Sequence, residues 1–483
     1  MTGAPDAIVV GSGPNGLAAA VTLAHAGLAV TVIEAADRIG GGLRSIEATL
    51  PGVRHDEFAA VHPLALASPF FREWGVTDRV PFVVPEVSFA HALDDRSLIA
   101  YRDLERTVRR LGTSGRGWRR ALSPLVERID ALTALSLGSL LTIPASPSMA
   151  ARLALTSLDS AEVFGRGALR GDARTLFSGV AAHAVGIVPS LATAGAGLVL
   201  AAHAHAAGWG IPIGGSSAIA DGLAADLLAH GGRIEVGHTV QDLRDVRADA
   251  VLLDVAPAAL ADIAGDELPW RYTQELRRFA HGDGAARIDL VLDGPIPWRD
   301  PEVGDAAAVH LGGDARTISA GERAVAHGRD ADIPYVLLSQ PSRFDPSRAP
   351  GGHHVVWAYT HVPHGSSSDR TEAVLTVLER AAPGIRDRII ATAHRSARQL
   401  EAANHNLVGG DIAGGAITVS QLLRRPTLSS EPWRTPTPGL YLCSASTAPG
   451  PGVHGMSGWH AARTALRERF GLAAPFSPES RAA

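Results

Sequence analysis

Asp6-Ala7-Ile8-Val9-Val10-Gly11-Ser12-Gly13-Pro14-Asn15-Gly16 is the stretch that decides the fold. The apolar, β-branched run up to Val10 reads as a strand buried on both faces, as in a parallel sheet. Residues 17–26 are rich in Ala and Leu and are helix-prone, and Gly27 is a natural stop. Residues 29–33 make a second strand, ending at Glu34. Together they form a βαβ start with the dinucleotide fingerprint inside it. Gly11 permits the tight turn. Gly13 lets the backbone approach a pyrophosphate with no Cβ in the way, and Gly16 lets the helix lie close to the strand. The helix start at Pro14 and Asn15 offers free N–H groups and a positive dipole end to phosphates. Glu34, at a strand end, is placed to accept from both ribose hydroxyls.

Working outward, Glu34-Ala35-Ala36-Asp37-Arg38-Ile39-Gly40-Gly41-Gly42-Leu43-Arg44-Ser45 adds a second glycine run beside the first. Arg38 and Arg44 offer forked donors to phosphate oxygens, or stand as solvated surface arginines. This stretch resembles the extended signature of the large FAD family that holds amine oxidases, phytoene desaturases and carotenoid isomerases. The resemblance implies that Glu34 and Ala35 meet the adenosine ribose. It also implies that Gly41, Gly42, Leu43 and Arg44 pass along the pyrophosphate and flavin.

The other end of the chain carries a second match. Residues 440–443 read as a strand, followed by Ser444-Ala445-Ser446-Thr447-Ala448-Pro449-Gly450-Pro451-Gly452-Val453-His454-Gly455-Met456 and a helix. Strand, glycine loop and helix again cradle an anion or ring. The segment resembles the C-terminal flavin motif of phytoene desaturase-like proteins, which implies flavin contacts from Ser446, Val453, His454, Gly455 and Met456. Between the two ends, Gly214-Gly215, a helical pattern over 217–230 and strands near 233–236 and 250–253 resemble the unit that returns the chain to the FAD domain. Val240 would then touch adenine, or be plain core.

These readings predict an α/β fold: a Rossmann-like FAD-binding domain of the GR2 type, interleaved with an α+β substrate domain. The FAD-binding domain would take residues 1–90, 207–265 and 405–475. The substrate domain would take 91–206, read as helices, and 266–404, with strands at 286–292, 335–339 and 355–360. Residues 476–483 read as a flexible tail.

Composition sets the limits. The chain has 483 residues and one Cys, so a disulfide scaffold, an iron–sulfur or Cys-rich zinc centre and Cys-x-x-Cys redox chemistry are excluded. A net charge of −5 gives no footprint for nucleic acid. The sequence contains no Lys, so Schiff-base chemistry is excluded. The amine-oxidase device of a Lys holding a water at the flavin is excluded with it. Nothing at the N-terminus reads as a signal peptide and no apolar run spans a bilayer, so a soluble, cytoplasmic protein is expected. The leucine-dense block 120–160 leaves peripheral membrane contact open, and a homo-oligomer is open as well.

The expected activity is dehydrogenation of a largely apolar small molecule, with a hydride passing to FAD and oxygen or a quinone as electron acceptor. A double-bond isomerase without net redox and an FAD-binding scaffold are the alternatives. His62 is the first candidate for a base or substrate-orienting donor, against a loop His bonded to backbone. His454 is the second. His405 and Asp411 line the cavity or cap a turn. Cys443, in an apolar strand, reads as an inert core thiol. No metal site is expected. The pair His353-His354 would point to opposite faces of a strand.

Overall fold

The computed structural model describes residues 4–144, 146–158, 169–188 and 191–476. Two sheets organise it. The first is parallel, with strands β1 (Ala7–Val10), β2 (Val30–Ile33), β5 (Arg233–Glu235), β6 (Ala250–Leu253) and β12 (Leu440–Leu442) in the order β12-β6-β1-β2-β5. Its inner strands β1, β2, β6 and β12 are buried and mostly apolar because both faces are covered, whereas the edge strand β5 exposes Arg233 and Glu235. Ala7 and Val9 pack with α1 (Pro14–His25), α4 (Ser217–Ala229) and α5 (Met456–Ala465). Ile8 and Val10 pack on the other side against Val240, Leu260 and Leu276.

The second sheet is mixed. Its strands are β3 (Val87–Ala92), β4 (Ser97–Tyr101), β7 (Gly284–Leu292), β8 (Ala306–Leu311), β9 (Val336–Ser339), β10 (His354–Val362) and β11 (Ile389–Arg395), in the order β11-β7-β10-β9-β8-β3-β4. All pairs are antiparallel except β8 with β3. Alternation along β10 divides two cores. Val356 and Ala358 face an outer layer that includes the helix Thr371–Ala381. Trp357 and Tyr359 face inward, toward α2 (Gly171–Ala181) and α3 (Leu191–Ala206).

The strands of the first sheet come from three separated stretches of chain. The second sheet differs from expectation in that β8 and β11 were not expected as strands, and in its first two strands. β3 and β4 lie in and beside a region read as helical, and β3 straddles residue 90. The two chain ends meet tightly. A Cβ on Gly458 of α5 would lie 1.8 Å from the carbonyl oxygen of Asn15 in α1, so the close helix contact requires glycine there. Of the tail, Phe476 packs on His25 and Phe70, and residues 477–483 lie outside the described residues. Among the described residues no helix is long and apolar enough to cross a membrane.

Candidate active site

A cavity of about 1400 Å³ runs from the carboxyl ends of the parallel strands to the inner face of the second sheet. That exceeds the roughly 300–1,000 Å³ of a site for one small ligand. Ligands in open α/β sheets bind at this end of the strands.

At the sheet end the wall is Gly11, Gly13, Pro14, Asn15, Glu34, Ala35, Gly41, Gly42, Arg44 and Val240. The two glycine runs touch. Gly40 N–H donates to the Ser12 carbonyl at 3.1 Å, and a Cβ on Gly41 would sit 2.8 Å from Gly13 Cα. Gly16 lies beneath, where a Cβ would meet the Gly11 carbonyl oxygen at 2.1 Å. Glu34 accepts from Ser12 N–H at 2.8 Å and Ala36 N–H at 2.8 Å, which fixes its carboxylate at the strand end. Peptide donors, bare glycine backbone and an acidic group at the second strand fit a dinucleotide such as FAD.

Asp254, just past β6, was not singled out from the sequence. Its Oδ2 accepts Gly16 N–H at 2.9 Å, so it caps the helix start that faces the cofactor phosphates. Burial pushes this carboxyl up to about 7, with the Gly16 N–H opposing and the Glu34 charge adding. The signal available was its position at the carboxyl end of a buried parallel strand.

Midway along the cavity stands a charged belt. Arg44 Nε faces Glu57 Oε2 at 2.9 Å, and Arg395 reaches Glu57 Oε1 at 3.1 Å. Arg287, 2% exposed on β7, donates to Asp289 and to the Glu57 carbonyl. Arg287 was also missed, because an Arg in a strand reads as an outward residue until the sheet's partner layer is known.

His62 is on the wall, and its tautomer is fixed. Ser216 Oγ spends its proton on the Ala59 carbonyl at 2.5 Å, so it accepts from His62 Nε2–H at 2.9 Å. Nδ1 is then a bare acceptor with no partner. Burial lowers His62 to about 4, against the pull of Asp56 and with Arg348 adding. His62 is therefore neutral, and at Nδ1 it is an acceptor rather than the donor that was one of its expected roles.

Beyond the belt the chamber is apolar and aromatic. Leu135, Leu153, Val199, Leu200, Trp209, Leu337 and Leu400 line it with Trp357 and Tyr359, whose rings meet edge-on at 5.5 Å. His183 is a polar group there. The rim is apolar too. Leu140, Val419 and Leu423 line the cavity and are also exposed, and Ile143, three residues after Leu140, is 95% exposed.

Other expected site residues are placed elsewhere. His454 is off the wall. Its Nδ1 accepts Met456 N–H at 3.0 Å and its Nε2 faces the Gly450 carbonyl at 3.2 Å, so both nitrogens serve the loop, which corrects the expectation that it acts on substrate. Leu43, Gly455 and Met456 are likewise not on the wall; Leu43 and Met456 are core, and Gly455 abuts Phe70 and Ala18. Arg38 points to solvent beside Asp37. Ser446 and Val453 do line the cavity, as does His405. Asp411 organises a turn, accepting from Gly282, Ala413 and Gly415 N–H groups. Cys443 is buried in a core, which pushes its thiol well up. Away from the cavity, His25, Asp226 and His230 come together, with Asp226 already held by His25 and by Trp74 Nε1–H at 2.9 Å.

Known proteins resemble this chain in sequence and in fold. The model of the family described as flavin containing amine oxidoreductase matches residues 15–466. Pyridine nucleotide-disulfide oxidoreductase domain-containing protein 2 of Mus musculus is 25% identical over 552 residues, covering 96% of this chain and 93% of that protein. Among solved structures, an oxidoreductase from Methanosarcina mazei superposes with a TM-score of 0.61 at 15% identity, over 95% of this chain and 99% of that one. Cyclohexylamine oxidase from Brevibacterium oxydans gives 0.59 at 16% identity, over 97% and 98%.

Proposed function

The chain belongs to the flavin-containing amine oxidoreductase family and is an FAD-dependent oxidoreductase; we propose that it removes two hydrogens from a largely apolar small molecule held in the aromatic chamber. Its closer kin would be the phytoene desaturase-like members, on the strength of the Pro449-Gly450-Pro451-Gly452-Val453-His454-Gly455 loop. The bound FAD supplies the hydride acceptor, and oxygen or a quinone would take the electrons onward.

The rest is done by the chain. Residues 1–90, 207–265 and 405–475 would hold the cofactor, and 91–206 with 266–404 the substrate. Gly11 to Gly16 and Gly41 to Arg44 would carry the phosphates, Glu34 the ribose hydroxyls, and Ser446 and Val453 the ring. Arg44 and Arg287, each already paired with a carboxylate, would present fixed, oriented dipoles in the wall rather than net charge. His62, buried and bonded to Ser216, would hold the wall in place, and the apolar lining excludes water.

The observation that carries this reading is the composition of the chamber, where Leu, Val, Ala, Trp and Tyr leave few polar contacts for a charged substrate. The test is anaerobic bleaching of the flavin by a panel of polyenes, apolar alcohols and primary amines. Bleaching by the hydrocarbon-rich compounds supports the proposal. Bleaching by small hydrophilic amines alone refutes it.

A further inference from the structure

Behind the cavity wall lies a buried charge. Arg425, just after the short helix Val419–Leu423, is 1% exposed. Every hydrogen bond of its guanidinium ends on a backbone carbonyl. Nε donates to Ala445 at 3.0 Å, Nη1 to Gly415 at 3.3 Å and Nη2 to Ala413. Among the described residues no carboxylate pairs with it. Arg44 and Arg287 differ in this respect, since Glu57 and Asp289 pair with them.

The carbonyls that hold Arg425 belong to two stretches of cavity wall. Ala445 lines the cavity with Ser446 and Val453, and Gly414 lines it between Ala413 and Gly415. Ser446 Oγ donates to the Gly414 carbonyl at 2.8 Å, so the two stretches are tied together. A Cβ on Gly450 would sit 3.3 Å from Arg425 Nε, so the guanidinium also lies against the loop between Ser446 and Val453. Arg425 therefore stands one peptide layer behind the wall.

The charged and titratable groups around it leave that charge standing. Asp411 is the acid that faces it, but its oxygens are taken up by the Gly282, Ala413 and Gly415 N–H groups and by His281. Burial lowers Arg425 to about 10, with Asp411 opposing, so it remains a cation at neutral pH. Burial lowers His454 to about 4, with Arg425 adding, so that ring is neutral. Three carbonyls call for donors, and a neutral side chain can supply donors. They do not call for a full charge, which is costly to bury without a carboxylate partner.

We propose that Arg425 is a positioning residue for electron uptake: it seats the 413–415 and 444–453 segments against the flavin ring, and its charge raises the reduction potential of the bound cofactor. This rests on the ring lying at Ser446 and Val453, as in the function proposed above. A hydride carries two electrons and one proton to a neutral ring, so one negative charge is added there. A fixed cation in a water-poor wall favours that charged state over the oxidised one. No bond to the ring is needed. The interaction is Coulombic, and burial leaves it little screened by salt.

The test uses the flavin-loaded full chain and no substrate. Sulfite is the first probe, because its lone pair adds to the oxidised ring and leaves a negative charge there. The midpoint potential, read by equilibration with redox dyes, is the second readout. Arg425→Gln keeps N–H donors and loses the charge, whereas Arg425→Lys keeps the charge and loses the fork. Arg425→Gln should weaken sulfite binding about tenfold and lower the potential by about 30 mV, the equivalent of tenfold for a two-electron couple. Arg425→Lys should stay closer to the wild type in both. A Gln variant within about twofold of the wild type, or a Lys variant shifted as far as the Gln variant, overturns the proposal. If neither variant keeps its flavin, the wild type decides. Its potential should lie above that of free FAD in the same buffer, and a value at or below it overturns the proposal. Neither readout depends on which compound the chamber oxidises, and a structure of the loaded protein locates the ring independently, so the two proposals fail separately.

Discussion

At the scale of single residues, the cofactor end turns on one carboxyl. Asp254 is raised to about 7 by burial, so its neutral form is favoured in the folded state. The sign follows. Folded protein holds this proton when unfolded chain has lost it, so the contribution to stability declines as pH rises from about 4 to about 7 and the cost stands in full above that. Phosphates at the same helix start add to the penalty on the charged form. FAD retention should therefore weaken above about pH 7, and Asp254→Asn should flatten that profile. Equal pH profiles of FAD affinity in wild type and variant would show that Asp254 does not govern it. Cys443 sets a second expectation. Its buried, raised thiol should resist alkylation in the native protein and react fully in denaturant, and acid-precipitated protein should release all its flavin.

Among the elements, glycines decide how the two chain ends fit. The Cβ of Gly458→Ala would strike a backbone oxygen at 1.8 Å, which cannot rotate away. The variant should lose about 1–3 kcal/mol, read as a lower denaturant midpoint, and should lose flavin with it. Unchanged stability and occupancy would mean that α1 and α5 separate freely. The first sheet was legible in the sequence because β1, β2 and β6 are buried on both faces and read as unbroken apolar runs beside glycine turns. The second sheet was only half legible. Ala306-Ala307-Ala308 has helix-forming composition yet lies in β8, held by β9 and β3 on either side. Here tertiary pairing overrides propensity. β11 alternates half-buried and exposed residues at a sheet edge, so its apolar signal is weak.

Over the whole molecule, the site was legible in proportion to its locality. The glycine loops announce themselves within a few residues of each other. The belt of Arg44, Glu57, Arg287 and Arg395 is assembled from distant segments that no local pattern connects. The rim offers a prediction at this scale. Leu140, Val419 and Leu423 line the cavity and expose apolar surface, and Ile143, three residues after Leu140, is exposed as well, a geometry suited to taking an apolar molecule from a lipid surface. The protein should sediment with phospholipid vesicles, and Leu140→Asp combined with Ile143→Asp should release it. Full recovery in the supernatant at every lipid composition would remove that role.

The arrangement as a whole stands or falls on where the isoalloxazine lies. A crystal structure of the flavin-loaded protein measures this directly. The ribose should be found at Glu34 and the adenine at Val240, the phosphates on the glycine loops, and the ring at Ser446 and Val453 with one face open to the chamber of His183, Arg287, Trp357 and Tyr359. A ring turned away from that chamber, or a cofactor that fills the chamber and leaves no room for a second molecule, would contradict the account.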